Sequence, residues 1–193
     1  SSFARVGQTV RYDSSLDAST RCGLGSDPWS LWSEAAQQFP GVSFNDPGNH
    51  LAVMVSQGCG GGTLGIAVVG SSIASGGMLT VSDRPQTFQS TFDHEMGHNF
   101  GLNHANFCDP GCSSPAAYFD VYSVMGFGVS GGSFTPPALD SAFRSQLGID
   151  VTGELATVAP GQTGTYQLSP RGGSTGLRGV RFSSGGSTYW VEW

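Results

Sequence analysis

The chain has no lysine. Its 8 basic residues are all arginines, scattered singly along the sequence, against 14 acidic ones, for a net charge of −6. Such a distribution offers no basic patch to neutralise phosphates, so no nucleic-acid partner is expected. Charge of either sign is scarce, at 11% of residues, where about 25% is usual. Hydrophobic residues still make up 38% of the 193. That is enough for one domain, or a domain with a small extension, to bury a real core. No apolar run approaches the ~20 residues of a membrane span, and no signal-peptide h-region is present, so no membrane association is expected. The sequence opens at Ser1 without an initiator methionine. A mature form is therefore expected, from which a targeting segment and an inhibitory pro-segment have been removed.

Cysteine is also sparse: Cys22, Cys59, Cys108 and Cys112. An even count in a low-charge chain suits an oxidising, extracellular setting, and the protein is expected to be secreted. Four cysteines allow three pairings. Bridges 22–59 and 108–112 are favoured, the second as a local staple; a second metal site is the rival reading. Arg21-Cys22-Gly23 resembles the cysteine switch of some zinc-peptidase zymogens, but Cys22 has disulfide partners available and lies inside the folded unit.

What is abundant is glycine, at 30 residues, which predicts many tight turns and long surface loops. The run 57–63 has no Gly-Lys-Ser/Thr after it, so it is not a phosphate cradle.

Histidine occurs 4 times, and three of the four fall within eleven residues: His94-Glu95-Met96-Gly97-His98-Asn99-Phe100-Gly101-Leu102-Asn103-His104. His94 and His98, four apart, project from one face of a helix. Two imidazoles so placed can hold one Zn²⁺. Gly101 is the residue type that ends a helix in a left-handed turn, after which the chain can return and bring His104 to the same ion. Three protein ligands leave a fourth position for water, as in a catalytic zinc site. Glu95 stands beside the first ligand, where it can take a proton from that water. Downstream lies Tyr122-Ser123-Val124-Met125-Gly126.

The eleven-residue motif followed by this methionine turn resembles the metzincin zinc peptidases. Gly97 to Ala105 together with Ser123-Val124-Met125-Gly126 looks most like the gametolysin-like branch, with the reprolysin-like branch as runner-up. The resemblance is good over residues 50–148 and loose elsewhere. It implies a secreted, monomeric zinc endopeptidase acting on polypeptide substrate. Zinc would be held by His94, His98 and His104, with Glu95 as general base and Met125 as the floor of the site. It also implies that an edge strand pairs with substrate, which assigns Gly65, Ala67 and Val68 to main-chain contacts with the peptide. Many metzincins carry a tyrosine two residues past the methionine; here that position is Phe127. Calcium is conceivable at Asn45-Asp46 or Asp109, without a strong motif. The competing readings are a non-catalytic zinc-containing module, which leaves Glu95 without work, and a hydrolase of another bond.

The fold expected is α+β: a metzincin-like twisted mixed sheet with an active-site helix, a C-terminal subdomain with the Met-turn, and a small β-rich extension. Residues 1–148 would form the catalytic domain and 149–193 the extension. Strands are expected at 6–13, 41–44, 51–56, 64–70 and 78–82, with 51–56 central and buried on account of its continuous apolar run. A first helix should be capped by Asp27 and open at Pro28. The zinc helix should begin within 83–87 and grip the core through Phe88, Phe92 and Met96. His50 is expected to be a strand-edge histidine. A final helix is expected over 138–147, then strands at 164–168, 177–182 and 188–193.

Overall fold

A computed structural model describes residues 5–24, 27–59, 61–107, 113–114, 116–126, 137–173 and 175–193. The architecture is mixed α+β with two three-stranded sheets. Helix α1 spans Pro28–Ala36, and Asp27 caps it by accepting from Trp29 N at 3.1 Å. The first sheet comprises β1 (His50–Ser56), β2 (Gly65–Ala67) and β3 (Gly77–Asp83) in the order β1-β3-β2. β1 runs parallel to β3 and β2 antiparallel to it. Helix α2 (Phe88–Asn99) follows, then α3 (Ser141–Leu147). The second sheet, β4 (Leu155–Val158), β5 (Gly179–Ser184) and β6 (Ser187–Glu192), is also mixed.

The central strand is β3, whose residues 77–82 are all buried, and not β1. The reason lies in what covers each strand. Leu51, Val53 and Met78 face α1 in one core with Leu31, Trp32, Ala35 and Phe44. Inside it, Trp32 Nε1 donates to Thr80 Oγ1 at 2.8 Å. The opposite face is covered by α2, which lies mainly over β2 and β3. β1 therefore overhangs, Met54 is 61% exposed, and the strand alternates in burial despite its apolar sequence. The stretches 6–13 and 41–44 form no strand, although Tyr12 and Phe44 still join the core. On α1, Trp29 is 57% exposed, while Leu31, Trp32 and Ala35 are buried.

Helix α2 also departs from expectation. It begins at Phe88, after a turn through Pro85, and its buried side chains are polar: Thr91, Glu95, His98 and Asn99. Phe88, Phe92 and Met96 are only half-buried. An apolar stripe is the usual guide to the inward face of a helix. Here Asn99 makes the junction instead. It is fully buried, its Nδ2 donates to Val68 O (2.8 Å) and Met78 O (3.1 Å), and its Oδ1 meets His50 Nδ1 at 3.1 Å. One side chain thus ties α2 to β1, to β3 and to the residue that follows β2. It also explains His50, which is held as a structural residue against Asn99 and the edge of the Phe100 ring.

Cys22 and Cys59 form a disulfide, so Cys22 presents no thiolate to a metal. Cys108 and Cys112 lie outside the described residues, as do Asp109, Phe127 and residues 128–136. Helix α3 starts later than expected because Asp140 caps it, accepting from Phe143 N at 2.9 Å. In the second sheet β4 had no clear sequence signal, residues 164–168 form no strand, and β5 and β6 turn through Gly185-Gly186, both at positive φ. The second sheet is tied to the rest by charged groups. Arg144 and Arg178 both pair with Glu154, and Glu192 accepts from Ser141 N at 2.8 Å. No helix among the described residues is long and apolar enough to cross a membrane.

Replacing Asn99 by leucine keeps the branching at Cγ and removes every one of these bonds. Met78 O keeps its bond from Val68 N, and leaving Val68 O unpaired costs ~1–3 kcal/mol. A fall in unfolding free energy of about 1–3 kcal/mol is therefore expected, read from urea denaturation of the metal-free protein. An unchanged midpoint would show that the junction does not depend on Asn99.

Candidate metal centre

The site is built at the C-terminal end of α2, where the helix stops. Gly101 N donates to His98 O and Leu102 N to Gly97 O, both at 2.9 Å, with Gly101 at φ +91°. This paired closure is a Schellman turn, which needs a residue tolerant of positive φ at that point. It reverses the chain and sends His104 back over the last turn of the helix.

Three imidazoles converge as a result. His98 Nε2 lies 3.2 Å from His94 Nε2 and 3.1 Å from His104 Nε2. Two nitrogens each ~2.0–2.1 Å from one tetrahedral ion are necessarily about 3.3 Å apart, so the spacing fits zinc. Two of the other ring nitrogens are engaged: His94 Nδ1 donates to Val124 O at 2.8 Å and His98 Nδ1 to Leu102 O at 2.7 Å. In a neutral ring that leaves Nε2 of His94 and of His98 with a lone pair, so the short contact between those two is not a hydrogen bond but a pair of acceptors aimed at one point. Burial keeps the rings neutral: it lowers the pKa of His94 to about 4 and also lowers those of His98 and His104. Among the described residues this is the one cluster of three or more side chains able to hold a metal ion. Asp46 joins no such cluster.

Met125 is fully buried beneath the site with Leu102 and Ala105. A Cβ at Gly97 would lie 2.4 Å from Met125 Sδ, so glycine in mid-helix makes room for the methionine. The turn carrying Met125 is braced by fully buried Ser123. Its Oγ accepts from Met125 N (3.2 Å) and donates to Asp140 Oδ2 (3.0 Å). Ala105 N donates to Met125 O at 2.8 Å, which links the chain just past His104 to the same turn.

Glu95 is 7% exposed, and no hydrogen bond reaches its carboxyl group among the described residues. Burial alone raises its pKa to about 8. It faces Gly65: a Cβ there would meet Glu95 Oε1 at 2.6 Å and Thr91 Cγ2 at 2.8 Å. Gly65 thus belongs to the site for a reason that sequence alone does not carry.

Of the three residues assigned to substrate contacts, two lie in β2, the edge strand. Leu64 O accepts from Ser82 N and Val68 N donates to Met78 O. In an antiparallel ladder, alternate residues bond the neighbouring strand. Residues 64, 66 and 68 therefore face β3, while Gly65 and Ala67 present their main-chain groups outward. Val68 has both groups occupied, since its carbonyl accepts from Asn99. The parity of the ladder removes Val68 from the outward-facing set.

Two residues near the metal point escaped the sequence reading: Asn99, described above, and Tyr118. The Tyr118 ring centroid lies 3.7 Å from that of His104 and 6.1 Å from that of His94. No spacing rule connects residue 118 to the motif.

A family model described as metallo-peptidase family M12B, reprolysin-like, matches residues 10–105, just under half of the chain. The match takes in α1, the first sheet, α2 and all three histidines. It supports a metzincin-type zinc metallopeptidase, and the mixed α+β architecture fits a metzincin-like fold. No curated protein and no solved structure matches the chain at a significant level.

The pKa directions give a pH dependence for the zinc-free protein. For Glu95 the folded value, about 8, stands above the ordinary 4.5. Between those values the folded state holds a proton that the unfolded state has released, so stability falls as pH rises. For His94 the folded value, about 4, stands below 6.5, so stability rises with pH through that lower window. The two oppose each other at acid pH, and from pH 6.5 to 8 the Glu95 contribution stands alone between them. Zinc-free Glu95→Gln should therefore gain in melting temperature relative to the parent as pH rises across 6.5–8. A constant difference across that range contradicts a buried, unpaired carboxyl.

Proposed function

We propose that the protein is a secreted zinc endopeptidase. The observation that carries this reading is a buried glutamate whose carboxyl has no hydrogen-bond partner among the described residues, set beside three converging imidazoles. A structural zinc site has no use for such a group, which costs stability and persists where chemistry needs it. A zinc-containing module without turnover is the second reading, and Glu95 weighs against it.

His94, His98 and His104 would hold the ion and leave one position open. Bound there, zinc polarises the scissile carbonyl and lowers the pKa of a water toward ~7. Glu95 would accept a proton from the attacking water as its oxygen bonds to the scissile carbonyl carbon, and would deliver that proton to the leaving amine as the C–N bond breaks. The dication beside it favours the carboxylate form over the protonated one that burial alone favours. Met125 fills the floor under the ligands. An extended peptide would add to the open edge of β2 through the outward main-chain groups of Gly65 and Ala67. There it passes the face on which Glu95 sits.

Secretion is supported by the 22–59 disulfide, which suits an oxidising compartment. We assign residues 1–148 to the catalytic domain and 149–193 to a β-rich extension. On branch, Gly97 to Ala105 with Ser123 to Gly126 resembles the gametolysin-like group. The family match over residues 10–105 points to the reprolysin-like one. The zinc chemistry is common to both.

Purified protein should contain about one zinc per chain, by the ligand count of one catalytic site, and should digest casein in a manner abolished by o-phenanthroline. Glu95→Gln should keep the zinc, because all three ligands remain, and lose ~10²–10⁴-fold in peptide turnover. Activity indifferent to chelation, or a zinc-bearing Glu95→Gln that cleaves nearly as fast as the parent, would sink the proposal.

A further inference from the structure

The three histidines are not held alike. Val124 O fixes the ring of His94 and Leu102 O that of His98. Among the described residues no carbonyl accepts from His104 Nδ1. His104 also leaves the helix, so no helical neighbours limit its rotamer, and it is only half-buried. What touches its ring is the ring of Tyr118, with centroids 3.7 Å apart and planes tilted by 36°.

Tyr118 is held in an unusual backbone state. Its φ is +67°, one of three positive values at non-glycine residues among those described. An aromatic residue seldom adopts that state, which persists only where the surroundings over-determine it. Here they do so from both sides. Asn106 Oδ1 accepts from Tyr118 N at 3.2 Å. Phe107 and Ala116 exchange backbone bonds of 3.0 and 2.8 Å, and Asp120 N donates to Ala105 O at 3.3 Å. Residues 105–107, the three that follow His104, thus clamp the chain on either side of Tyr118. The clamp fixes the ring to the ligand that lacks a hydrogen-bond brace.

We propose that Tyr118 is a positioning residue for the metal centre, its ring stacking on His104 to hold the third imidazole at the metal point. This rests on the zinc-site reading above. The ring does for His104 what Val124 O and Leu102 O do for the other two, and the strained backbone is what aims it there.

The test is the zinc dissociation constant, measured by competition with a fluorescent chelator on the full chain. Parent, Tyr118→Phe and Tyr118→Ala are compared, each also in a His104→Ala background. Loss of a group that orients a ligand typically weakens metal binding ~10–100-fold, so Tyr118→Ala should lose that much. Tyr118→Phe should stay close to the parent because the ring remains. With His104 removed, Tyr118→Ala should have no further effect. The proposal is overturned if Tyr118→Ala binds zinc as the parent does. It is overturned if Tyr118→Phe falls as far as Tyr118→Ala, which would credit the hydroxyl. It is overturned too if the loss persists in the His104→Ala background, which would mean general damage to the fold. A parent that binds no zinc defeats the peptidase reading along with this proposal; a parent that binds zinc while Tyr118→Ala matches it defeats this proposal alone.

Discussion

Neutral imidazoles whose Nε2 lone pairs face each other, as those of His94 and His98 do at 3.2 Å with His104 Nε2 3.1 Å from His98 Nε2, do not attract. Without a cation between them, the arrangement must be imposed by everything around it. That constraint organises the part of the chain that carries the three histidines. The Schellman closure at Gly101 supplies the reversal that returns His104 to the helix. Two carbonyls fix the tautomers of His94 and His98, and the Met125 turn provides one of them. Asn99, one residue past His98, locks the helix end to the sheet so that the point of convergence is fixed relative to the open strand edge. A metal centre must be held to within about half an ångström to work, and these contacts are the means.

Glycine is the second device, and it works by absence of a side chain. Gly97 gives Met125 its space and Gly65 gives the Glu95 carboxyl its space, each at a distance where any Cβ would collide. A helix interior normally disfavours glycine by ~1 kcal/mol relative to alanine. The cost at Gly97 is offset by packing a fully buried methionine directly under the ligands. The same economy explains the polar inner face of α2: it buries Glu95, His98 and Asn99 because chemistry and the junction to the sheet both lie on that side.

The centre itself was legible because its signal is local. Spacings of four and six residues between histidines, with a glycine between the second and third, fix geometry through a single helix and a single turn. Asp27 and Pro28 at the start of α1 were legible for the same reason. The sheet was harder. Leu51 to Val55 reads as a strand covered on both faces, yet its second face is open because α2 lies mainly over β3 and β2. No local pattern reports where a helix from elsewhere in the chain will lie. Phe88, Phe92 and Met96 misled in the same way, since an apolar stripe gives the inward face only when the inward face is apolar. Val68 was a question of ladder parity, which depends on pairing with β3. Tyr118 reaches His104 across a loop closure that no periodicity encodes.

The central claim is that three histidines alone hold one zinc and leave it open. X-ray absorption at the zinc edge of the loaded protein, at neutral pH and without substrate, measures this directly. The account predicts three imidazole nitrogens and one further oxygen, each at ~2.0–2.1 Å. A shell containing sulfur at ~2.3 Å, or four protein ligands with no water oxygen, would contradict it.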